Sequence, residues 1–143
     1  PVSCPEVSKS GTAPGQMSKE EVVDIRDKLS FESHKKRYFY LLGSPITFSP
    51  SPTFHNTVFS LLNLPDIYKK FSTDNLDCAK YIINKTSTFG CSVTIPLKRH
   101  LFEEYKEFAS EDAQYIKAIN TVVKIDGKIK VYNTDWMAIY KLI

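Results

Sequence analysis

The chain has 143 residues, 42% apolar and 24% charged, which is enough for one compact domain with a real core. Its net charge of +3, from 19 basic and 16 acidic residues, is too small to mark a nucleic-acid binder. No apolar run approaches the roughly 18 residues that a membrane-spanning helix needs, so no membrane association is expected.

The one basic run, Lys35-Lys36-Arg37, has the look of a solvated edge. The first residues, Pro1-Val2-Ser3-Cys4, show no charged-then-apolar leader and no Met, which predicts a start inside a longer or processed protein. Cys4, Cys78 and Cys91 are widely spaced with no CxxC. That speaks against a disulfide framework or a zinc site and fits a reducing cytosol, hence a cytoplasmic protein. His34, His55 and His100 lack metal-ligand spacing, and no metal is expected.

Residues 1–18 are rich in Pro, Gly, Ser and Thr and read as a tail. Ser18-Lys-Glu-Glu21 is a capping box. With Val22, Val23, Ile25 and Leu29 it predicts a short amphipathic helix, and residues 30–36 read as a linker. Tyr38 to Leu42, ending at Gly43, predicts a buried strand. Pro52 to Leu62 predicts a helix with Phe54, Val58, Leu61 and Leu62 on one face. A weaker strand follows at Ile67 to Phe71, a helix at Leu76 to Ile83, and a strand at Phe89 to Ile95 closed by Pro96. Helices are predicted over Leu97 to Phe108 and Ala109 to Tyr115. Ile119 to Ile125 and Lys128 to Tyr132 are strands around Asp126-Gly127, a strong hairpin signal, and Thr134 to Ile143 begins a last helix. Alternation of strand and helix predicts an α/β fold: three layers, α/β/α, around a mostly parallel open sheet with one antiparallel strand.

Three segments carry polar groups at element boundaries. In Gly43-Ser-Pro-Ile-Thr-Phe-Ser-Pro-Ser-Pro-Thr-Phe-His-Asn56 a strand gives way to a helix. Ser51 is the expected N-cap and Pro52 the first helical residue. The helix N-terminus, with the hydroxyls of Ser49 and Ser51, makes an anion site without a formal positive charge, suited to a small carboxylate. Taken alone, an ordinary capped helix is the better account of this segment.

In Phe89-Gly-Cys-Ser-Val-Thr-Ile-Pro-Leu-Lys98, Lys98 falls on the first turn of a helix, where a cation opposes the dipole. A surface lysine is the plainer account by spacing alone. Asn120 opens a strand, and Asn133, Thr134 and Asp135 lie between the next strand and the last helix, where Asp135 suits a capping role. In open α/β sheets ligands bind beyond the carboxyl ends of strands. Asn120 precedes its strand, so the antiparallel hairpin is what would bring it to that side. Two hydroxyls, a lysine, an aspartate and amides around one crevice suit a polyhydroxylated acid. No GxGxxG or related Gly-rich loop is present, so no dinucleotide site is expected in this chain.

In order and spacing these segments resemble the three signatures of shikimate dehydrogenase: a Gly-x-Pro-Ile-x-x-Ser-x-Ser-Pro-x-x-His-Asn loop, a Val-Thr-Ile-Pro-x-Lys strand end, and Ala-x-Asn-Thr followed by Asn-Thr-Asp. The match runs from about Tyr38 to Trp136. Gly11-Thr-Ala-Pro-Gly-Gln-Met17 is similar to the last active-site loop of type I dehydroquinase, with Gln16 at the substrate-holding position. That junction, and Ser92 where bacterial enzymes usually have Asn, resemble the fungal pentafunctional arom polypeptide, although plants fuse the same two activities.

The resemblance implies a dehydroquinase-like tail over 1–18, a helix and linker over 19–36, and a substrate-binding domain over 37–143. An NADP-binding domain would follow in cis. It implies NADPH-dependent reduction of 3-dehydroshikimate to shikimate, possible only with that second domain, and a full-length protein that forms a homodimer. It implies that Ser49 and Ser51 bind the substrate carboxylate, and that Thr94, Asn120 and Asp135 hold ring hydroxyls, with Ser92 and Thr134 as further substrate contacts. Lys98 and Asp135 are the implied catalytic pair: Lys98 gives the proton or steadies the alkoxide, and Asp135 positions it.

Five positions depart from the family. Phe48 replaces a frequent His, Lys117 a usual Gly, Val131-Tyr132 a common Gly-Asp, and Ala138 a nearby Gly. Lys117 and Tyr132 are expected to bear on the pocket. A fungal quinate-repressor-like metabolite sensor is the alternative function. It has no need of a proton donor, so the presence of Lys98 and Asp135 favours the enzyme.

Overall fold

The computed structural model describes residues 36–141. The expected tail at 1–18, the capped helix after Ser18, and the linker apart from Lys36 lie outside the described residues. Of the described residues, those up to Asp135 belong to one compact unit and those from Trp136 on to another.

The elements follow in this order: β1 Tyr38–Gly43, α1 Ser51–Leu61, β2 Ile67–Ser72, α2 Leu76–Asn84, β3 Thr88–Val93 and α3 Leu97–Tyr105. A single 3₁₀ turn, Lys106–Phe108, leads to α4 Glu111–Ile116, β4 Thr121–Ile125, β5 Lys128–Tyr132 and α5 Asp135–Tyr140. The five strands form one sheet in the order β2-β1-β3-β4-β5. β1 pairs in parallel with β2 and β3, while β4 pairs antiparallel with both β3 and β5. One strand, β4, therefore runs against the other four, as the hairpin signal predicts. Asp126 (φ 50°) and Gly127 (φ 74°) supply the two left-handed residues that the tight turn needs.

Alternation along β1 divides the core between the two faces. Leu42 joins Cys91, Val93, Val122 and Val131 under α2, α3 and α4, whose Ile83, Leu97, Leu101 and Ala113 are fully buried. Leu41 faces the other way, packing with Ile46 and Tyr68 beneath α1. Helices thus cover both faces of the sheet.

Helix α1 docks differently from its apolar pattern. Phe54 and Leu61, placed on the inner face by periodicity, are more than half exposed. The inward residues are His55, whose ring stacks on Tyr68 at 4.4 Å, and Phe59, 5.5 Å from Phe39. Asn56 sits between them. Its amide donates to the Tyr68 carbonyl (2.9 Å) and accepts from the Tyr68 N–H (2.8 Å). β2 is an edge strand, and Asn56 pairs backbone groups that the edge would otherwise leave open. The helix also starts one residue earlier than expected: Ser51 is its first residue and Pro50 the N-cap, with no side-chain cap bond. Ser49 accepts from the Ser51 N–H at 3.4 Å instead.

The expected helix over 97–108 breaks at Tyr105 into the 3₁₀ turn. The strand expected to reach Ile95 ends at Val93, because Thr94 and Ile95 turn into the connection before α3. There the Thr94 carbonyl accepts from the Leu97 N–H (3.0 Å) and the Ile95 carbonyl from the Ser44 N–H (2.9 Å).

Lys117 ends α4 in the left-handed region, at φ 56° and ψ 39°. A side chain costs about 1 kcal/mol there, which accounts for the glycine usual at this position in the resembled family. Lys117→Gly should raise stability by about 0.5–1 kcal/mol, net of the greater freedom of glycine in the unfolded chain. Thermal unfolding checks this. A lower Tm would mean that the exposed lysine side chain makes a contribution its backbone angles do not reveal.

Candidate active site

Three strand-to-helix connections meet at one end of the sheet. The loop after β1 runs over residues 44–50, the turn after β3 over residues 94–96, and the link from β5 to α5 over residues 133–134. β4 begins beside them, since Val93 donates its N–H to the Asn120 carbonyl (2.7 Å) and Asn120 donates its own to Tyr132 (3.0 Å). Between these segments lies a cavity of about 570 Å³. Ser49, Ser51, Ser92, Thr94, Lys98, Asn120, Thr134 and Asp135 all line it, over an apolar floor that includes Leu41, Ile46 and Val93. Of the departures noted in the sequence, only Phe48 lines this cavity, where it is 98% exposed. Lys117 stands outside it, and Tyr132 lines a separate cavity beside the hairpin, so neither bears on the pocket directly.

The charged pair is set from both sides. Lys98 enters on the first turn of α3, and its backbone carbonyl accepts from the Ile119 N–H (3.0 Å), which ties the helix start to the approach to β4. Its Nζ donates to Asp135 Oδ2 at 2.7 Å. Asn120 Nδ2 donates to Asp135 Oδ1 at 2.8 Å and to Thr134 Oγ1 at 2.9 Å. Asn120 Oδ1 accepts from the Thr134 N–H (3.0 Å) and from the Thr121 hydroxyl (2.8 Å). Asn120 is therefore a hub: both of its amide hydrogens are engaged in orienting Asp135 and Thr134.

Capping of α5 does not fall to Asp135. The buried Asn133 accepts from the Asp135 N–H (3.0 Å) and donates to the Ala118 carbonyl (3.0 Å), leaving the Asp135 carboxylate for Lys98 and Asn120. Asn133 is thus a positioning residue whose role the capping pattern alone did not separate from that of Asp135.

The side chains of Lys98 and Asp135 are 30% and 51% exposed. An ion pair so open to water contributes at most about 1 kcal/mol to folding, so its geometry matters more than its strength. Burial pushes the Asp135 carboxyl up. The hydrogen bonds from Lys98 and Asn120, with the lysine charge, outweigh that and hold it below the usual carboxylate value.

The serine loop is held from behind. Ser49 Oγ donates to Ser51 Oγ at 3.2 Å, and the Ser49 N–H donates to the Ile46 carbonyl at 3.2 Å. Lys70, on β2, places its ammonium on the Thr47 carbonyl at 2.5 Å. Lys70 thus braces the serine loop two residues from Ser49, although it does not line the cavity. Its only trace in the sequence was the Lys69-Lys70 pair, which strand alternation alone could not assign.

The turn after β1 is where an α/β sheet of another kind would cradle a dinucleotide pyrophosphate. Gly43 is left-handed there (φ +148°), but its open face is filled. A Cβ at this position would lie 2.4 Å from Thr94 Cγ2 and 2.7 Å from the Ile95 carbonyl oxygen. That face of Gly43 is closed to a ligand, so this turn does not offer the open glycine cradle of a nicotinamide dinucleotide site. Nor do His, Cys, Asp and Glu cluster as metal ligands among the described residues. No helix among them is long and apolar enough to cross a membrane.

Residues 41–122 match the family described as the shikimate dehydrogenase substrate binding domain. The chain belongs to that family. It is 42% identical over 133 residues to a pentafunctional AROM polypeptide of Lachancea thermotolerans, covering 92% of this chain and 8% of that polypeptide. A structure of dehydroquinate dehydratase and shikimate dehydrogenase from S. pombe AroM superposes with a TM-score of 0.71 at 31% identity, covering 96% of this chain and 26% of that one. A shikimate dehydrogenase from Thermus thermophilus, solved with shikimate bound, gives a TM-score of 0.63 at 30% identity over 69% of this chain and 38% of that one. A further shikimate dehydrogenase of the same fold, solved with NADP+, gives 0.65 at 34% identity over 73% and 37%. The chain thus spans a small part of the curated relatives it matches and less than half of each of these structures.

The depressed carboxyl gives a signed expectation. A folded-state pKa below the unfolded value means that the Asp135 contacts add stability above about pH 4 and lose it as pH falls through the folded value. In Lys98→Met, burial acts against fewer favourable partners, so the Asp135 pKa should rise. Carboxyl NMR titration reads this directly, and an unchanged value would mean that the two groups do not meet in solution.

Proposed function

We propose that this chain is the substrate-binding half of a shikimate dehydrogenase, reducing 3-dehydroshikimate to shikimate with NADPH as part of an arom-type polypeptide. The observation that carries this is the meeting of Lys98 and Asp135, at 2.7 Å, in the same cavity as the hydroxyls of Ser49 and Ser51. A small acid with several hydroxyls needs a carboxylate site at one end and a proton source at the other, and these groups supply both.

In this reading residues 37–143 are the substrate-binding domain, and the catalytic pair is Lys98 with Asp135. The Ser49 and Ser51 hydroxyls, just before and at the start of α1, donate to the carboxylate, aided by the dipole of an eleven-residue helix. Thr94, Asn120, Ser92 and Thr134 surround the ring hydroxyls. NADPH, held by a C-terminal domain, supplies the hydride. The Lys98 ammonium gives its proton to the carbonyl oxygen as that oxygen gains charge, yielding the hydroxyl and a neutral amine. Asp135 holds Nζ at the oxygen, and the partly exposed lysine recovers its proton from water. The resemblance of Gly11–Met17 to a dehydroquinase loop, and the 96% coverage by the two-enzyme S. pombe relative, support a dehydroquinase domain immediately upstream.

Two variants of the full-length protein test the assignment. Lys98→Ala should lower turnover by roughly 10²–10⁴-fold, the usual loss when a general acid is removed, with the fold intact by circular dichroism. A near-normal rate would mean that the proton comes from elsewhere. A chain that binds shikimate without turnover even as wild type would point to a sensor. Ser49→Ala combined with Ser51→Ala should weaken carboxylate-bearing ligands selectively; equal weakening of a decarboxylated analogue would remove these serines from the anion site.

A further inference from the structure

Behind the floor of the cavity, Tyr68 is 5% exposed, and its phenolic oxygen is buried with no hydrogen-bond partner in reach. Buried hydroxyls left unpaired are uncommon, and each asks for a reason. The ring has its reason: it stacks on His55 at 4.4 Å and packs with Leu41 and Ile46. Phenylalanine would serve all of that without burying a polar atom, so the hydroxyl is the unexplained part.

Its surroundings point toward the site. Leu41 and Ile46, against which the ring packs, are themselves cavity lining. Ser92 lies directly across from Leu41 in the β1–β3 pairing, on the same face of the sheet, and also lines the cavity. Burial pushes the Tyr68 phenol up, and the nearby Ser92 hydroxyl partly opposes that shift. No hydrogen bond joins the two oxygens in this structure, but a serine hydroxyl has three staggered positions to choose from.

We propose that Tyr68 is a positioning residue for the substrate site: with a polyhydroxylated acid in the cavity, its phenol hydrogen-bonds the Ser92 hydroxyl and fixes that hydroxyl toward a ring oxygen of the ligand. The inference rests on the dehydrogenase reading above and on Ser92 as a ligand contact. It gives Ser92, a side chain with one polar atom and free rotation, a fixed direction.

The test uses the full-length protein in four forms: wild type, Tyr68→Phe, Ser92→Ala and the double variant. Shikimate dissociation constants come from titration calorimetry, KM and kcat from NADPH-dependent turnover, and Tm from thermal unfolding. Tyr68→Phe should weaken shikimate binding and raise KM by roughly 3- to 10-fold, the range one hydrogen bond spans, with kcat within about 2-fold of wild type. Its Tm should hold or rise, since an unpaired buried hydroxyl is gone. In the Ser92→Ala background the same change should have no further effect on binding. Unaltered binding in Tyr68→Phe, or an equal loss in both backgrounds, overturns the inference while the dehydrogenase reading stands. A wild-type protein that neither binds shikimate nor turns over 3-dehydroshikimate sinks that reading first, and this inference with it.

Discussion

The hydrogen bond from the Val93 N–H to the Asn120 carbonyl is the joint on which the site depends. β3 delivers Thr94 and Lys98 at its carboxyl end, as a parallel strand in an open sheet does. The Asn120 and Asp135 groups arrive by another route, because β4 runs the opposite way. Its first residues lie beside the last residues of β3, and the hairpin returns β5 with its own carboxyl end at the same edge. One reversal of direction therefore converts a neighbouring hairpin into the second wall of the cavity. Were β4 parallel, Asn120 would stand at the far end of the sheet and Lys98 would face no carboxylate.

Once that wall is in place, polar groups are sorted by what they bind rather than by what they are. Asn133 and Asp135 both suit the start of α5. The one that is buried, Asn133, takes the structural work, and the exposed one is left to meet Lys98. Asn120 spends its amide hydrogens on Asp135 and Thr134. The result is a carboxylate fixed by two donors and a lysine fixed by one carboxylate. Such an arrangement adds little to folding stability at its degree of exposure, yet it constrains where the ammonium stands. By contrast, the Asp66 side chain is 1% exposed and receives both Nε and a terminal nitrogen of Arg37, at 2.9 and 2.5 Å, far from the cavity. The two pairs divide the tasks: the buried one joins the starts of β1 and β2, the open one stays available to a ligand.

Much of this was legible in the sequence, because strong local signals and the fold agree. Asp126-Gly127 takes the left-handed angles its composition predicts, and Tyr38 to Gly43 is a strand whose alternation divides the core. The polar segments at strand ends needed only an α/β sheet to converge. What escaped was set by contacts distant in sequence. Periodicity put Phe54 and Leu61 inward on α1, but the Asn56 pairing with the Tyr68 backbone and the His55 stack turn that helix otherwise. Those residues are polar or amphipathic, so a hydrophobic pattern gives them no weight. Ser51 looked like a cap because serine before proline at a helix start commonly is one. Here the chain turns one residue sooner, and the hydroxyl faces Ser49 instead. Lys117 carries a left-handed angle that only the family's usual glycine hinted at, and Lys70 reaches the serine loop across a gap of 23 residues.

The open side of the cavity has a chemical logic. Reduction of a ketone requires hydride at carbon and a proton at oxygen, and the two cannot approach along one line. In the proposed reading this unit supplies the oxygen end through Lys98 and the anchoring end through the serine loop, and leaves a face of the ring uncovered. A site enclosed by this chain alone would bind the acid more tightly but would shut out the hydride donor. Gly43 marks the same division from within. Its open face is packed against Thr94, which holds that threonine in the cavity lining and closes that face of the turn to a ligand. In the proposed reading the strand end that would bind a dinucleotide in another α/β sheet is given to the substrate, and the cofactor comes with a separate domain.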